Sequence, residues 1–149
     1  MLRIALCLAL VVSATSIASA HCQVPCGIYG DQLRFEQMLE DGSTIAKAQV
    51  SLADLSAKSD PQSVNQAVRW VTTKEDHAQK IQDTIAAYFM AQRIKTDDPA
   101  YGTKLMAAHK VMVAAMKAKQ SADPATAEAL KKAILDFYRA YEGKEPSIG

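Results

Sequence analysis

Asp123-Pro124-Ala125-Thr126-Ala127-Glu128-Ala129-Leu130-Lys131-Lys132-Ala133-Ile134-Leu135-Asp136-Phe137-Tyr138-Arg139-Ala140-Tyr141-Glu142-Gly143 reads as one helix from cap to stop. An aspartate at the N-cap accepts bonds from the unpaired amides of the first turn. A proline just inside the helix loses nothing, because its missing donor would be unpaired there in any case. Leu130, Ile134, Phe137 and Tyr141 recur every three or four residues and make one apolar stripe. Gly143 supplies the C-terminal stop.

The same punctuation occurs twice more, at Asp60-Pro61 and Asp98-Pro99, and predicts two further helix starts. One helix is expected from Pro61 to about Lys95, through Val64, Val68, Val71, Ala78, Ile81, Ile85 and Phe89. Another is expected from Pro99 to about Lys119, through Leu105, Ala108, Met112, Ala115 and Met116. Ahead of them, about Asp31 to Ala57 carries Phe35, Met38, Leu39, Ile45, Ala46, Leu52 and Leu55 at helical spacing. Asp41-Gly42 interrupts that stretch, and a mid-helix glycine costs about 1 kcal/mol relative to alanine, so a kink or break is expected there. Met106, Met112 and Met116 read as core fillers, and His109 as a satisfied core histidine. Short loops make sequential helices antiparallel. The expected fold is all-α: an up-down-up-down four-helix bundle with an N-terminal metal-binding hook.

The chain has 149 residues, 49% of them hydrophobic and 22% charged, which excludes disorder and allows one ordinary domain. Its 17 basic and 16 acidic side chains give no net field for nucleic acid. Residues 1–20 stand apart. Arg3, the apolar run Ile4 to Val12, and the small-residue end Ala18-Ser19-Ala20 are the three parts of a secretory signal peptide. The expected domains are therefore a signal peptide over 1–20 and a single bundle domain over 21–149, with the hook at 21–29. Export predicts a periplasmic or extracellular location and no stable membrane insertion after cleavage. Cleavage would remove Cys7 and leave Cys22 and Cys26, with His21 as the new first residue.

His21-Cys22-Gln23-Val24-Pro25-Cys26-Gly27-Ile28-Tyr29-Gly30 gathers a histidine and both remaining cysteines within six residues. Their spacing matches neither the haem attachment pattern nor the redox Cys-x-x-Cys, and it lacks the four side-chain ligands of a structural zinc site. With His21 first, a free α-amine, the Cys22 amide and two thiolates make a planar N2S2 donor set, which selects nickel or copper over zinc. The His21 imidazole adds an axial donor. A Cys22–Cys26 disulfide pinning the terminus is the competing reading, and export favours it.

This stretch resembles the nickel-binding hook of the nickel-dependent superoxide dismutases, whose pattern is His-Cys-x-x-Pro-Cys-Gly-x-Tyr at a processed N-terminus. His21, Cys22, Pro25, Cys26, Gly27 and Tyr29 match every specified position. The resemblance implies one nickel ion per chain, held by the His21 amine and imidazole, the Cys22 amide, and the Cys22 and Cys26 thiolates. It implies superoxide as substrate, disproportionated to dioxygen and hydrogen peroxide with the metal alternating between Ni(II) and Ni(III). By the same resemblance, His21 and Tyr29 are the catalytic residues, with Tyr29 closing the substrate approach. Arg34-Phe35-Glu36 resembles a family segment whose glutamate bonds the terminal imidazole, which makes Glu36 an outer partner of the site. Where described enzymes carry an arginine that supports this contact, the present chain has His77. Tyr88-Phe89 resembles a family Tyr-Phe pair and puts Tyr88 among the outer residues. The family also implies a homohexamer; Trp70, Tyr88, Phe89 and Tyr101 are the aromatic residues available either for such contacts or for the monomer core. Lys74, Lys80 and Arg69 are the nearby cations in sequence that could draw a small anion. Against this stand a non-catalytic exported metal-binding protein and a purely structural bundle with the Cys22–Cys26 disulfide.

Overall fold

The computed structural model of the chain describes residues 30–147. The expected signal peptide and the hook, including His21, Cys22, Cys26 and Tyr29, lie outside the described residues. Four α-helices make up the rest: α1 (Asp31–Leu55), α2 (Pro61–Asp83), α3 (Tyr101–Gln120) and α4 (Pro124–Glu142). A π-helical segment, Thr84–Arg93, continues α2 without a break. Among the described residues there is no strand.

Two of the three Asp-Pro pairs act as the sequence predicts. The Asp60 carboxylate accepts from the Ser63 amide at 3.0 Å, and that of Asp123 accepts from the Ala125 amide at 2.9 Å. The third pair forms a turn ahead of its helix. Asp98 accepts from the Ala100 amide through its side chain and from the Tyr101 amide through its carbonyl, so α3 begins at Tyr101 rather than Pro99. Gly143 ends α4 in the left-handed conformation, φ 69°, with its amide bonded to the Arg139 carbonyl.

α1 packs against α2 and α4, and α3 packs against the same two helices. Asp31, at the start of α1, meets Tyr88 and Arg93 near the end of the second helical run and Tyr141 at the end of α4. Lys104, at the start of α3, lies over the Tyr141 ring. One end of the bundle therefore holds two helix starts and two helix ends, which is the up-down-up-down arrangement. The core runs between, through Phe35, Met38 and Ile45 of α1, Ala78 and Ile81 of α2, Ala108, Val111 and Ala115 of α3, and Leu130, Ile134 and Phe137 of α4.

Several expectations are corrected by packing. α1 is unbroken at Asp41-Gly42, because Gly42 is buried against α4 and tertiary contact offsets its poor propensity. Val64, Val68 and Val71 are 50, 61 and 44% exposed, so they are not core. The buried face of α2 begins only at Lys74. In α3 the inward stripe is Ala108, Val111, Ala115 and Ala118, all small side chains that let the helices approach closely. The larger residues beside that stripe turn outward: Met106, Met116 and His109 are exposed, and only Met112 packs against the core. Tyr88 and Phe89 fill the monomer core and are not surface contacts.

At the far end of the bundle, two buried polar side chains close the end of α3. Lys74 Nζ donates to the carbonyls of Ala118 (3.0 Å) and Lys119. A cation placed at these carbonyls also faces the negative end of the helix dipole. Gln49 Nε2 donates to the Ser121 carbonyl at 3.2 Å and to Thr126 Oγ1 at 2.8 Å, tying α1 to the α3–α4 turn. Lys74 is thus committed to the fold and is not a free cation for an anionic substrate.

Two outcomes follow for stability. A Cβ at Gly42 would meet Ile134 Cδ1 at 4.0 Å, an ordinary contact, so Gly42→Ala is expected to stabilise the protein by about 0.5–1 kcal/mol in urea unfolding. Lys74→Met keeps the aliphatic stem but strips the donors from two helix-end carbonyls. It is expected to cost about 1.5–3 kcal/mol in the same measurement.

Candidate metal centre

In sequence the hook directly precedes Gly30 and α1, so the described residues nearest to it along the chain are those at the start of α1. Gly30 occupies the N-cap and offers no side chain to the first turn. The neighbouring residue does the anchoring. Tyr88 Oη donates to Asp31 Oδ1 at 2.5 Å, while Tyr141 Oη (2.9 Å) and Arg93 Nη2 (2.8 Å) both donate to Asp31 Oδ2. One carboxylate therefore joins α1 to the π segment and to α4.

Burial opposes the Asp31 charge, but Arg93 and the two tyrosine hydroxyls outweigh it and hold the carboxyl below its ordinary range. The reciprocal effect appears on its partners. Burial and then the Asp31 hydrogen bond push both the Tyr88 and the Tyr141 hydroxyls up, so they stay protonated as donors. Arg93 is held firmly in its charged form, first by the hydrogen bond to Asp31. Arg34 and Arg93 place their guanidinium carbons 5.3 and 5.8 Å from the Tyr88 ring centre, and Lys104 Nζ is 5.1 Å from that of Tyr141. Arg34, Arg93 and Lys104 thus lie over the tyrosines at this end; of the cations suggested by proximity in sequence, Lys74 closes the end of α3 and Lys80 lines a groove beside His77.

Beneath this polar layer lies an aromatic one. Phe35, one turn after Asp31, stacks at 4.9 Å on Phe89, 5.2 Å on Phe137 and 4.9 Å on Tyr138. Tyr138 Oη donates to Gln32 Oε1 at 3.0 Å, and Gln32 Nε2 donates to Glu36 Oε1 at 3.0 Å. Glu36 is exposed on α1. His77 is half-buried on α2, with Nδ1 2.5 Å from Asp41 Oδ1 of α1. It lines a shallow groove with Gln37, Glu40, Lys80 and Thr84. Among the described residues no hydrogen bond joins Glu36 to His77; each has its own partner.

Neither Asp31 nor Arg93 stands out in the sequence as a site residue, and Tyr141 stands out only as part of the apolar stripe of α4. The signals were there in part: Asp31 is the first residue after the hook's flanking glycine, and Tyr88 and Arg93 stand five apart. In an α-helix residues five apart do not face the same way, whereas the i to i+5 repeat of a π-helix stacks them.

Among the described residues no group of three or more His, Cys, Asp or Glu side chains is gathered as for a metal. No helix among them is long and apolar enough to cross a membrane. Two thiolates, an amine and an amide suit nickel, a donor set that Cys22, Cys26 and His21 would supply. Neither a curated protein nor a solved structure matches the chain. The model of the nickel-containing superoxide dismutase family matches residues 16–145, which takes in the hook and nearly the whole bundle. With the helical bundle observed behind that hook, the chain belongs to the nickel-containing superoxide dismutases.

Proposed function

We propose that this superoxide dismutase works through one nickel ion per chain, bound by the His21 amine and imidazole, the Cys22 amide and the thiolates of Cys22 and Cys26. The observation that carries the proposal is the run His21-Cys22-Gln23-Val24-Pro25-Cys26-Gly27-Ile28-Tyr29 within the segment matched by the family. The amine exists only if the chain is cut between Ala20 and His21. Ala18-Ser19-Ala20 supports cleavage there, on export to a periplasmic or extracellular location.

Nickel bound in this way supplies a one-electron couple between its divalent and trivalent states. The chain's groups set the conditions for that couple. The thiolates of Cys22 and Cys26 would donate charge to the metal and lower its potential, and the His21 imidazole would add a further nitrogen donor. Two superoxide anions and two protons yield one dioxygen and one hydrogen peroxide. Tyr29 narrows the approach so that only a small anion or solvent enters. Glu36 orients the His21 imidazole. His77 takes the place of the supporting arginine, and its pairing with Asp41 turns it toward α1. A histidine is not a fixed cation, so the support it gives differs from that of arginine.

Self-association as a homohexamer is part of the same reading. The exposed valines of α2, Val64, Val68 and Val71, support it as an apolar stripe left uncovered by the monomer. Light scattering at several concentrations is expected to give about six subunits; a fully active monomer contradicts it.

The decisive measurement pairs nickel content with the decay of a superoxide pulse. Protein beginning at His21 is expected to hold one nickel and remove superoxide. Cys22→Ser and Cys26→Ser are each expected to abolish turnover. One extra alanine before His21 is expected to be nearly as harmful, because it turns the terminal amine into an amide while keeping every side chain. His21→Ala is expected to keep some metal and lose much of the activity, and Glu36→Gln to lose about 10–100-fold. An alanine-extended protein as active as the parent overturns the hook. Intact mass two protons below the dithiol, without nickel, establishes the structural disulfide instead. Bound but exchangeable nickel without turnover establishes a metal-binding protein.

A further inference from the structure

We propose that Asp31 is a positioning residue for the nickel hook, and that the π segment Thr84–Arg93 presents Tyr88 and Arg93 to it. The proposal rests on the nickel-hook reading above and adds the means by which the bundle holds the hook in place. Helix starts ordinarily fray. Here the first residue of α1 is tied by three donors from two other helical runs: Tyr88 and Arg93 from the π segment, and Tyr141 from α4. Gly30 contributes no capping side chain, so the Asp31 carboxylate is the group that fixes the entry of the chain into the bundle.

Covalent reach makes this entry point matter. Five residue steps separate Cys26 from Asp31. They span at most about 18 Å when fully extended. A short tether passes on the position and direction of its fixed end, so loosening Asp31 loosens the last thiolate donor and Tyr29, which is two residues away. The lock is also specific in its chemistry. Each Asp31 oxygen has at least one donor, and the charged guanidinium of Arg93 balances the carboxylate.

The π segment explains how two of these donors reach one carboxylate. Its repeat brings residues five apart onto one face, which regular α-helical geometry does not. The pattern is visible at its end, where the Ile94 amide donates to the Phe89 carbonyl at 2.8 Å. In this chain the insertion lies on the run that faces the start of α1.

The test uses the full processed chain, with Asp31→Ala, Arg93→Gln, Arg93→Lys and, at the opposite end of the bundle, Gln49→Ala. In the metal-free protein, amide exchange in the first turn of α1 is expected to speed up about tenfold in Asp31→Ala and Arg93→Gln. In the nickel-loaded protein, release of the metal to excess chelator is expected to be about tenfold faster in both. The electron paramagnetic resonance signal of the oxidised nickel is expected to broaden or shift. Arg93→Lys keeps the charge and is expected to release nickel nearly as slowly as the parent. Gln49→Ala lowers the melting temperature and is expected to leave nickel release and the resonance signal unchanged. If Asp31→Ala does not fold, the pair Arg93→Gln and Arg93→Lys decides the question. Nickel release and signal equal to the parent in the Arg93→Gln chain, despite a loosened first turn, overturn the positioning role and leave the hook intact. A parent chain that binds no nickel overturns the hook reading and the positioning role together.

Discussion

The end of the bundle at which α1 starts depends on how Phe35 is surrounded. Its ring touches Phe89 of the π segment and Phe137, Tyr138 and Tyr141 of α4, with centroids between 4.9 and 5.9 Å. Tilted and edge-on contacts of this kind contribute beyond the area they bury. Three runs of chain are therefore registered against one another by apolar packing before any polar group is placed. The tyrosines then use their amphipathic character: Tyr141 and Tyr88 keep their rings against Phe89 and send their hydroxyls to Asp31. The order of causes runs from ring packing to hydroxyl placement to carboxylate position.

The two ends of the molecule solve different problems. At the far end, Lys74 and Gln49 satisfy carbonyls at the end of α3 and in the turn after it. Those bonds are what a buried helix end requires in any fold. At the near end, the polar groups converge on Asp31, the first residue of α1. Asp31 receives two tyrosine donors and a guanidinium that helix termination alone does not call for. The asymmetry fits the role proposed for the near end, that of holding the start of α1 for the hook.

The helices were legible because their punctuation is local. Asp60-Pro61, Asp123-Pro124 and Gly143 act through bonds within one turn, and the structure places them as read. What failed was inference from side-chain size. Met106 and Met116 suggested core fillers but turn outward, since the buried stripe of α3 is made by Ala108, Val111, Ala115 and Ala118, and only Met112 packs beside it. The valines of α2 suggested core where the chain runs ahead of the first buried residue, Lys74. Gly42 suggested a break because the cost of glycine is local, whereas its compensation comes from α4, far away in sequence. The π segment was invisible for the same reason. A residue period of about 3.6 over Ile81, Ile85 and Phe89 describes the apolar face well. The shift in repeat shows only in which polar residues, Tyr88 and Arg93, meet the same partner.

The donor set proposed for the hook can be read from sequence alone for the opposite reason, since all its candidate atoms belong to six consecutive residues. Sites assembled from distant elements are hidden in a sequence until the fold is known, whereas a chelate within one short run is written out in order. Such a site depends on the fold less for its inner ligands than for everything around them. A bundle that gathers no metal-binding cluster among its described residues can still govern a metal, by fixing where the chelating run begins and what surrounds it. The division of labour matches the physics of the parts. In the proposed site, thiolate, amine and amide nitrogen would set the redox couple from one short run of chain, and tertiary structure would set approach, orientation and charge. A family that keeps the hook is therefore free to vary its outer partners. The histidine at position 77, turned onto Asp41 where an arginine stands in described relatives, is such a variation in this chain.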